Sequence, residues 1–413
     1  MELCRWGTEI HQGNTIMDFK RLDKCLCCDG RELRQYIDLG DQPLANSYPI
    51  SKQKEERFPL CVNVCLKCWH SQLSGVVDRD KMFKNYLYLS GTSKSHHNYF
   101  EHLSQNIYEL IGCKSGLKIL DVGCNDGAFL EKFSRFNWDL YGIDPAENID
   151  CIPSIHRVKG YFPKDISGKY DVITALNVFA HNANPFEFLC GAKDLLNEDG
   201  IICIQTSQKD MLTNFEFDTI YHEHQSYFTI NSMKTLCDRA GVYLDKVDFV
   251  DMHGTSYLFV IRKQKVEGIA SYTDKLMEEQ EDGKYEFGYL YSSFQDSLLD
   301  LELRLREYIV NTNLPFVAYG ASAKGVVLLN AFDLRPEYVI DDSPLKQGKN
   351  IPGIGCPILP NSQILEEKRD LCILILAWNM FYEIKSKLSV RKNNDSLIRV
   401  FPTLEIMEGA YVG

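Results

Sequence analysis

Long apolar runs are missing from this sequence. The longest, "LCILILAW" at 371–378, has the length of a buried strand and falls well short of a bilayer span. The opening residues, "MELCRWGTEIHQGNTIMDF", contain no apolar core of a signal peptide. An excess of positive charge is missing too. The 45 Lys and Arg against 57 Asp and Glu give 45 − 57 = −12, which argues against non-specific nucleic-acid binding. No membrane and no nucleic-acid partner are therefore expected, and the cytoplasm is the expected compartment. The rest of the composition, 45% hydrophobic and 25% charged, is that of a soluble globular chain long enough for two or three domains. A monomer or small homo-oligomer is expected.

Fifteen cysteines are present, an odd number, and most stand singly among apolar residues, as small buried hydrophobes do in a reducing compartment. Two pairs differ. Cys25 and Cys28 in "CLCC", and Cys65 and Cys68 in "CLKC", are each separated by two residues. Each pair can turn two thiolates toward one point, and two such pairs make a closed tetrahedral Zn²⁺ site. A redox dithiol is the alternative, but the matched pairs favour a metal, and four protein ligands make it structural. The separation of the pairs, 65 − 28 = 37, exceeds that of a compact ribbon, and the insert "LGDQPLANSYP" reads as loop with a short strand.

In the middle of the chain, "LKILDVGCNDG" (117–127) reads as a strand running into a glycine turn, with a helix expected over "AFLEKFSRF". A second strand, "DLYGID", ends at Asp144, and 144 − 121 = 23 puts an acid where a doubly wound sheet places a ribose. The strand at 170–176 ends in polar residues, a helix follows from Pro185 to Leu196, and then comes the strand "GIICIQT". The alternation predicts a mostly parallel sheet covered on both faces.

A polar, helical stretch over about 265–312 leads to a second α/β unit. Its strand "PFVAYGA" enters the turn "YGASAKG", with Gly320, Gly325 and Lys324 at a helix N-terminus suited to phosphate. An acid follows one step on, since 341 − 320 = 21. This turn suits either a dinucleotide or the diphosphate of an activated substrate, and Tyr319 and Lys324 are its candidate contacts.

The run "YHEHQSYF" (221–228) sets Tyr221, His222, Glu223 and His224 side by side. It reads either as an amphipathic strand with satisfied histidines or as acid–base machinery. A catalytic metal is disfavoured, because H-E-x-x-H is lacking.

The middle turn has an acid before its first glycine, unlike the G-x-G-x-x-G of nucleotide dehydrogenases. It resembles motif I of class I S-adenosylmethionine methyltransferases. The ordered set "CLCC", "LGDQPLANSY", "CLKCWHSQL", "YLYLSGTSKSHH", "LDVGCNDGAFL", "NVFAH", "DTIYHEHQSYF" and "YGASAKGVVLLN" covers nearly the whole chain. It resembles the C-methyltransferases that act on nucleotide-linked 4-keto deoxysugars. The resemblance implies an α/β class I methyltransferase domain with a doubly wound sheet (91–262), an N-terminal zinc-binding domain (17–90) and a C-terminal Rossmann-like substrate-binding domain (263–413). It implies S-adenosylmethionine near Asp121, Gly123, Asn125, Gly127, Asp144 and Asn177, a structural Zn²⁺, and a nucleotide-activated sugar as substrate. The family's base maps to His224. Glu223 is expected to orient or tune that ring, Tyr221, His181 and Tyr86 to be neighbouring polar groups, and His222 to be structural. O-methylation on the same fold, a non-catalytic zinc and S-adenosylmethionine scaffold, and an NAD-dependent enzyme are the competing readings.

Overall fold

The computed structural model describes residues 19–51, 55–83, 94–252, 254–266 and 271–409. Hydrophobic alternation dictates the central element. Along its strands Ile119, Val172, Ile201, Leu258 and Val260 enter one core, while their neighbours Leu120, Ile173, Ile202, Phe259 and Ile261 enter another, so both faces are buried. The sheet has seven strands in the order Tyr243–Asp251, Thr255–Arg262, Leu196–Thr206, Tyr170–Leu176, Lys118–Val122, Asp139–Asp144 and His156–Lys159. Thr255–Arg262 runs antiparallel to both its neighbours, and the pairings on the other side are parallel. This is the sheet of a class I methyltransferase.

The helix expected over "AFLEKFSRF" is instead a 3₁₀ segment, Leu130–Phe136, closed by Asn137 at φ 57°. Leu130 and Phe133 are both buried in one cluster and Phe136 packs against it. A spacing of three aligns side chains in a 3₁₀ turn.

The N-terminal sheet pairs Leu33–Pro43 with Arg57–Cys65, then Ser71–Leu73, then Ser226–Tyr227. Leu33–Pro43 is one long strand that takes in the first residues of the 39–49 insert, and the rest of the insert is loop, as expected. Gly40, at φ 69°, sits where the register shifts between Asp38 and Asp41, so its glycine marks a bulge and not an end. The stretch after 265 is broken by Gly283 and Gly288 into Thr273–Glu281, Tyr289–Ser292 and Phe294–Asn311. Glu279 and Lys284, both 1% exposed, fasten it to the central domain. Glu279 accepts the Ile230 amide at 2.9 Å and the Tyr257 hydroxyl, and lies 3.6 Å from the Lys284 ammonium.

The C-terminal sheet runs Ile358–Leu359, Val339–Ile340, Phe316–Tyr319, Cys372–Ile375, Ser396–Arg399 and Glu405–Glu408, parallel except for its last strand. One hydrophobic core crosses all the parts. It joins Ile37 and Val62 of the N-terminal sheet, Phe217 and Ile220 of the middle region, Phe294 of the connecting helix, and Leu328 and Phe332 of the C-terminal unit. Among the described residues no helix is long and apolar enough to cross a membrane.

What positions the site is the segment between Thr206, the end of a central strand, and Ile230, the start of the next helix. It leaves the central sheet and visits both flanking domains. Phe217 packs on Phe332 and Phe401 at 4.9 and 5.8 Å, and Trp378 Nε1 donates to Asp218 at 2.7 Å. The segment then turns back and lends Ser226–Tyr227 to the N-terminal sheet, with the Leu73 amide donating to the Gln225 carbonyl at 3.1 Å.

Candidate active site

The two cysteine knuckles fold alike. In each, the first cysteine's amide donates to the carbonyl five residues on, Cys25 to Gly30 and Cys65 to His70. The fourth residue on is left-handed in both, Asp29 at φ 58° and Trp69 at φ 61°. Cys25, Cys28, Cys65 and Cys68 bring their sulfurs within 4.8 Å of one another. Cys25–Cys68 and Cys28–Cys65 are each 3.5 Å apart. A tetrahedral Zn²⁺ with bonds of about 2.3 Å needs sulfurs about 3.8 Å apart, so the four residues fit it. Cys27 and Cys61 stand outside the cluster.

A cavity of about 770 Å³ lies where the three parts meet. Of the residues singled out from the sequence it brings together Asp121, Gly123, Asn125, Asp144, Asn177, His181, Tyr221, His224 and Lys324. Gly127 does not line it. Its φ of 85° favours glycine, and a Cβ there would also come 2.3 Å from Ile155 Cδ1 and 2.9 Å from Cys151 Sγ. Tyr319 does not line it either; it is 2% exposed, and its hydroxyl donates to Asp342 at 3.1 Å on the far side of the strand. Tyr86 lies outside the described residues.

At one end the buried Asp121 carboxylate accepts the Thr174 hydroxyl at 2.6 Å. Burial pushes its pKa up to about 7, and the charge on Asp144 adds to the shift. Asp144 accepts the amides of Asn125 at 2.9 Å and Ala146 at 2.8 Å, with Arg157 at 3.7 Å. Asn177, at φ 56°, buries a side-chain oxygen with no hydrogen-bond donor. An anion short of a cation, a pinned carboxylate and an orphaned acceptor suit an ammonium group and a ribose diol.

Midway sits His224, 4% exposed. Its Nδ1 lies 2.8 Å from the Thr219 carbonyl, which can only accept, so Nδ1 carries the hydrogen. The Gln208 amide is 3.2 Å from the same nitrogen, and its oxygen has no partner as oriented. Turning that amide end for end sets its oxygen, an acceptor, against Nδ1–H. Nε2 is therefore the basic nitrogen, and the Tyr221 hydroxyl donates to it at 2.7 Å. His181 lies against the ring at 5.1 Å and is itself stacked on Phe83 at 5.7 Å. Burial lowers the His181 pKa to about 4, so its ring is neutral near pH 7.

Glu223 does not partner His224. Among the described hydrogen bonds its carboxylate accepts the Asn46 amide at 3.0 Å, because adjacent residues in this turn project to different sides. His222 lies 3.2 Å from the Phe58 carbonyl, and burial pulls its pKa down to about 4. At the other end Lys324 sits over the Trp378 ring at 4.4 Å with its ammonium buried and without a hydrogen bond. Lys346 lies on the same cavity and donates to the Ala321 carbonyl at 2.7 Å. Asn46, Gln208 and Lys346 carry no local signal by which sequence reasoning could have found them, apart from the presence of Asn46 in "LANSY".

Three family models cover successive parts of the chain: a zinc binding domain at 25–83, a methyltransferase domain at 95–247 and a C-methyltransferase C-terminal domain at 251–402. C-methyltransferase NovU of Streptomyces niveus is 29% identical over 385 residues, 88% of this chain and 91% of that protein. The matched domains mark the chain as a C-methyltransferase. A ubiquinone biosynthesis O-methyltransferase of Rhodopseudomonas palustris is 28% identical over 110 residues, 24% of this C-methyltransferase and 44% of that protein. Among solved structures, the Burkholderia thailandensis 1,6-didemethyltoxoflavin-N1-methyltransferase with S-adenosylhomocysteine is 15% identical, with a TM-score of 0.34 over 41% of this chain and 80% of that one. This C-methyltransferase is S-adenosylmethionine-dependent, and its N-terminal cysteines form a zinc-binding domain.

Burial makes the charge of Asp121 depend on pH near neutrality. Below about 7 its carboxyl holds a proton and loses its attraction for an ammonium group. Because its folded pKa is raised, Asp121 itself favours the folded state at low pH and loses that contribution as pH rises from its ordinary value through about 7. The stabilisation by S-adenosylmethionine should therefore be larger at pH 8 than at pH 6. Thermal melts with and without cofactor check this, and Asp121→Asn should flatten the difference.

Proposed function

We propose that this C-methyltransferase acts on a nucleotide-linked 4-keto deoxysugar, in the making of a branched sugar. The observation that carries the reading is that His224, whose basic nitrogen is Nε2 and is held by the Tyr221 hydroxyl, lines the same cavity as Asp121 and Asp144. A carbon beside a ketone is acidic enough for an imidazole to deprotonate, and the carbanion so formed is the nucleophile that carbon methylation needs. Bound S-adenosylmethionine supplies an electrophilic methyl group. Asp121, Asn177 and Asp144 would hold its amino-acid and ribose ends. His224 accepts the proton at Nε2 once the substrate C–H replaces the Tyr221 hydroxyl there, and Thr219 and Gln208 keep the ring turned for it. Lys324, Lys346 and the amides at the start of Ala323–Ala331 would face the diphosphate. The boundaries at 90 and 262 belong to this same reading.

The dinucleotide alternative for the C-terminal turn is disfavoured. A Cβ on Gly320 would meet Ala377 at 2.8 Å, so that glycine accommodates a neighbouring loop, and Asp341 already lies 3.7 Å from Lys346. The test is a panel of dTDP-, GDP-, CDP- and UDP-linked 4-keto-6-deoxyhexoses incubated with S-adenosylmethionine. One added methyl on carbon in one member, by mass and by NMR, is expected. A methyl on oxygen, or none in any member, would refute the reading.

A further inference from the structure

An enolate needs more than a base, because charge collects on the former ketone oxygen as the C–H bond breaks. We infer that Asn46 of the N-terminal domain donates the hydrogen bond that stabilises that oxygen, and that Glu223 is the positioning residue that aims it. The inference rests on the keto-sugar reading above.

Asn46 lines the cavity together with Tyr221 and His224. It follows the bulged strand Leu33–Pro43 and is held from both sides. The next residue but one, Tyr48, donates its hydroxyl to the Ala321 carbonyl at 2.7 Å, and the Ser47 amide donates to Leu44 at 3.1 Å. Glu223, 1% exposed, accepts one Asn46 Nδ2–H at 3.0 Å. Burial raises the Glu223 pKa and the Asn46 hydrogen bond opposes it; the ionised carboxylate only accepts, so this contact fixes which way round the amide sits. It leaves the second N–H of the same nitrogen available at the cavity, polarised by the buried carboxylate behind it. A donor fixed before the reaction begins needs no reorganisation when charge develops, and a cavity closed off from water strengthens its effect.

The tetrapeptide of residues 221–224 thus serves both halves of one step. The C–H bond beside the ketone breaks and its proton goes to His224 Nε2. The electron pair forms the new C=C bond, and the carbonyl π pair moves to oxygen, where the Asn46 N–H meets it. Because His224 and Glu223 are adjacent, one turn of backbone sets the distance between base and donor. This also accounts for a buried carboxylate beside the base that makes no hydrogen bond to it.

The experiment uses the panel member that gains a methyl, with S-adenosylhomocysteine in place of the methyl donor, and follows solvent deuterium entering the sugar. The full-length enzyme should exchange. Asn46→Ala and Asn46→Leu should each slow exchange by about 10²–10³-fold with zinc content and S-adenosylmethionine affinity unchanged. Leucine keeps the shape and has no hydrogen-bonding group, whereas aspartate would share a proton with Glu223, so Asn46→Leu serves in place of Asn46→Asp where alanine fails to fold. Glu223→Ala should also slow exchange, and Asn46→Ala with Glu223→Ala should be no slower than Asn46→Ala alone, since the two act as one unit. Exchange at the full rate in both Asn46 variants, or effects of the two sites that multiply, would overturn the inference. No exchange in the unsubstituted enzyme would instead sink the keto-sugar reading, and this inference with it.

Discussion

Replacing His224 by alanine should cut turnover by about 10²–10⁴-fold, the usual worth of a general base, and leave S-adenosylmethionine affinity nearly intact. Nε2 is the basic nitrogen because the Thr219 carbonyl claims the hydrogen on Nδ1. The groups suited to the cofactor, Asp121, Asp144 and Asn177, stand at the ends of three other strands and lose no contact. Steady-state kinetics with calorimetric titration of the cofactor measures both quantities. His222 is the control. Its Nε2 lies 3.2 Å from the Phe58 carbonyl, on a strand of the N-terminal sheet. His222→Ala should lower the melting temperature, since an unsatisfied buried acceptor costs about 1–3 kcal/mol, but should spare turnover per folded molecule. If the two variants behave the other way round, the base has been assigned to the wrong histidine.

Loss of the zinc should be at least as severe. The purified protein should carry about one zinc per chain, and structural sites of this kind contribute about 10–16 kcal/mol of apparent binding energy at neutral pH. Cys65→Ser opens the cluster at the end of Arg57–Cys65, the strand that pairs with Ser71–Leu73, which in turn pairs with Ser226–Tyr227. Two pairings therefore separate a metal ligand from the backbone that carries His224. The variant should lose its zinc by elemental analysis and its methylation to background. A zinc-free enzyme that stays folded and fully active would show that the cysteines do something else.

Much of this was legible because it is local. The strands Lys118–Val122, Asp139–Asp144 and Tyr170–Leu176 announce themselves by short apolar runs ending in acids or amides. The four cysteines announce themselves by spacing. What could not be read is what spacing does not encode. Glu223 looks like a partner for His224 in the sequence, and only the tertiary contact with Asn46, 177 positions away, shows where its carboxylate goes. Gly127 reads as a cofactor glycine from the motif, while the structure shows the backbone reason for it, a φ of 85° with Ile155 and Cys151 packed behind the turn. Tyr319 ends a strand beside a promising turn, but strand alternation directs its ring to the opposite face, into a core with Ile340 and Phe381. Lys346 sits in a stretch with no motif and reaches the cavity through the order of the C-terminal sheet.

The lending of Ser226–Tyr227 to the N-terminal sheet bears on how such enzymes can be recombined. The chain divides into three consecutive segments when cut by sequence, yet the chemistry does not. A chimera that exchanges only residues before about 91 between two relatives would set one parent's Ser71–Gln72 strand and Asn46 against the other parent's Ser226–Tyr227 strand and Glu223. The exchangeable unit is discontinuous: the N-terminal region together with the excursion 207–229. Grafts that carry both pieces should keep their donor's choice of substrate on another enzyme's cofactor domain, whereas grafts that carry one should yield folded protein that transfers nothing.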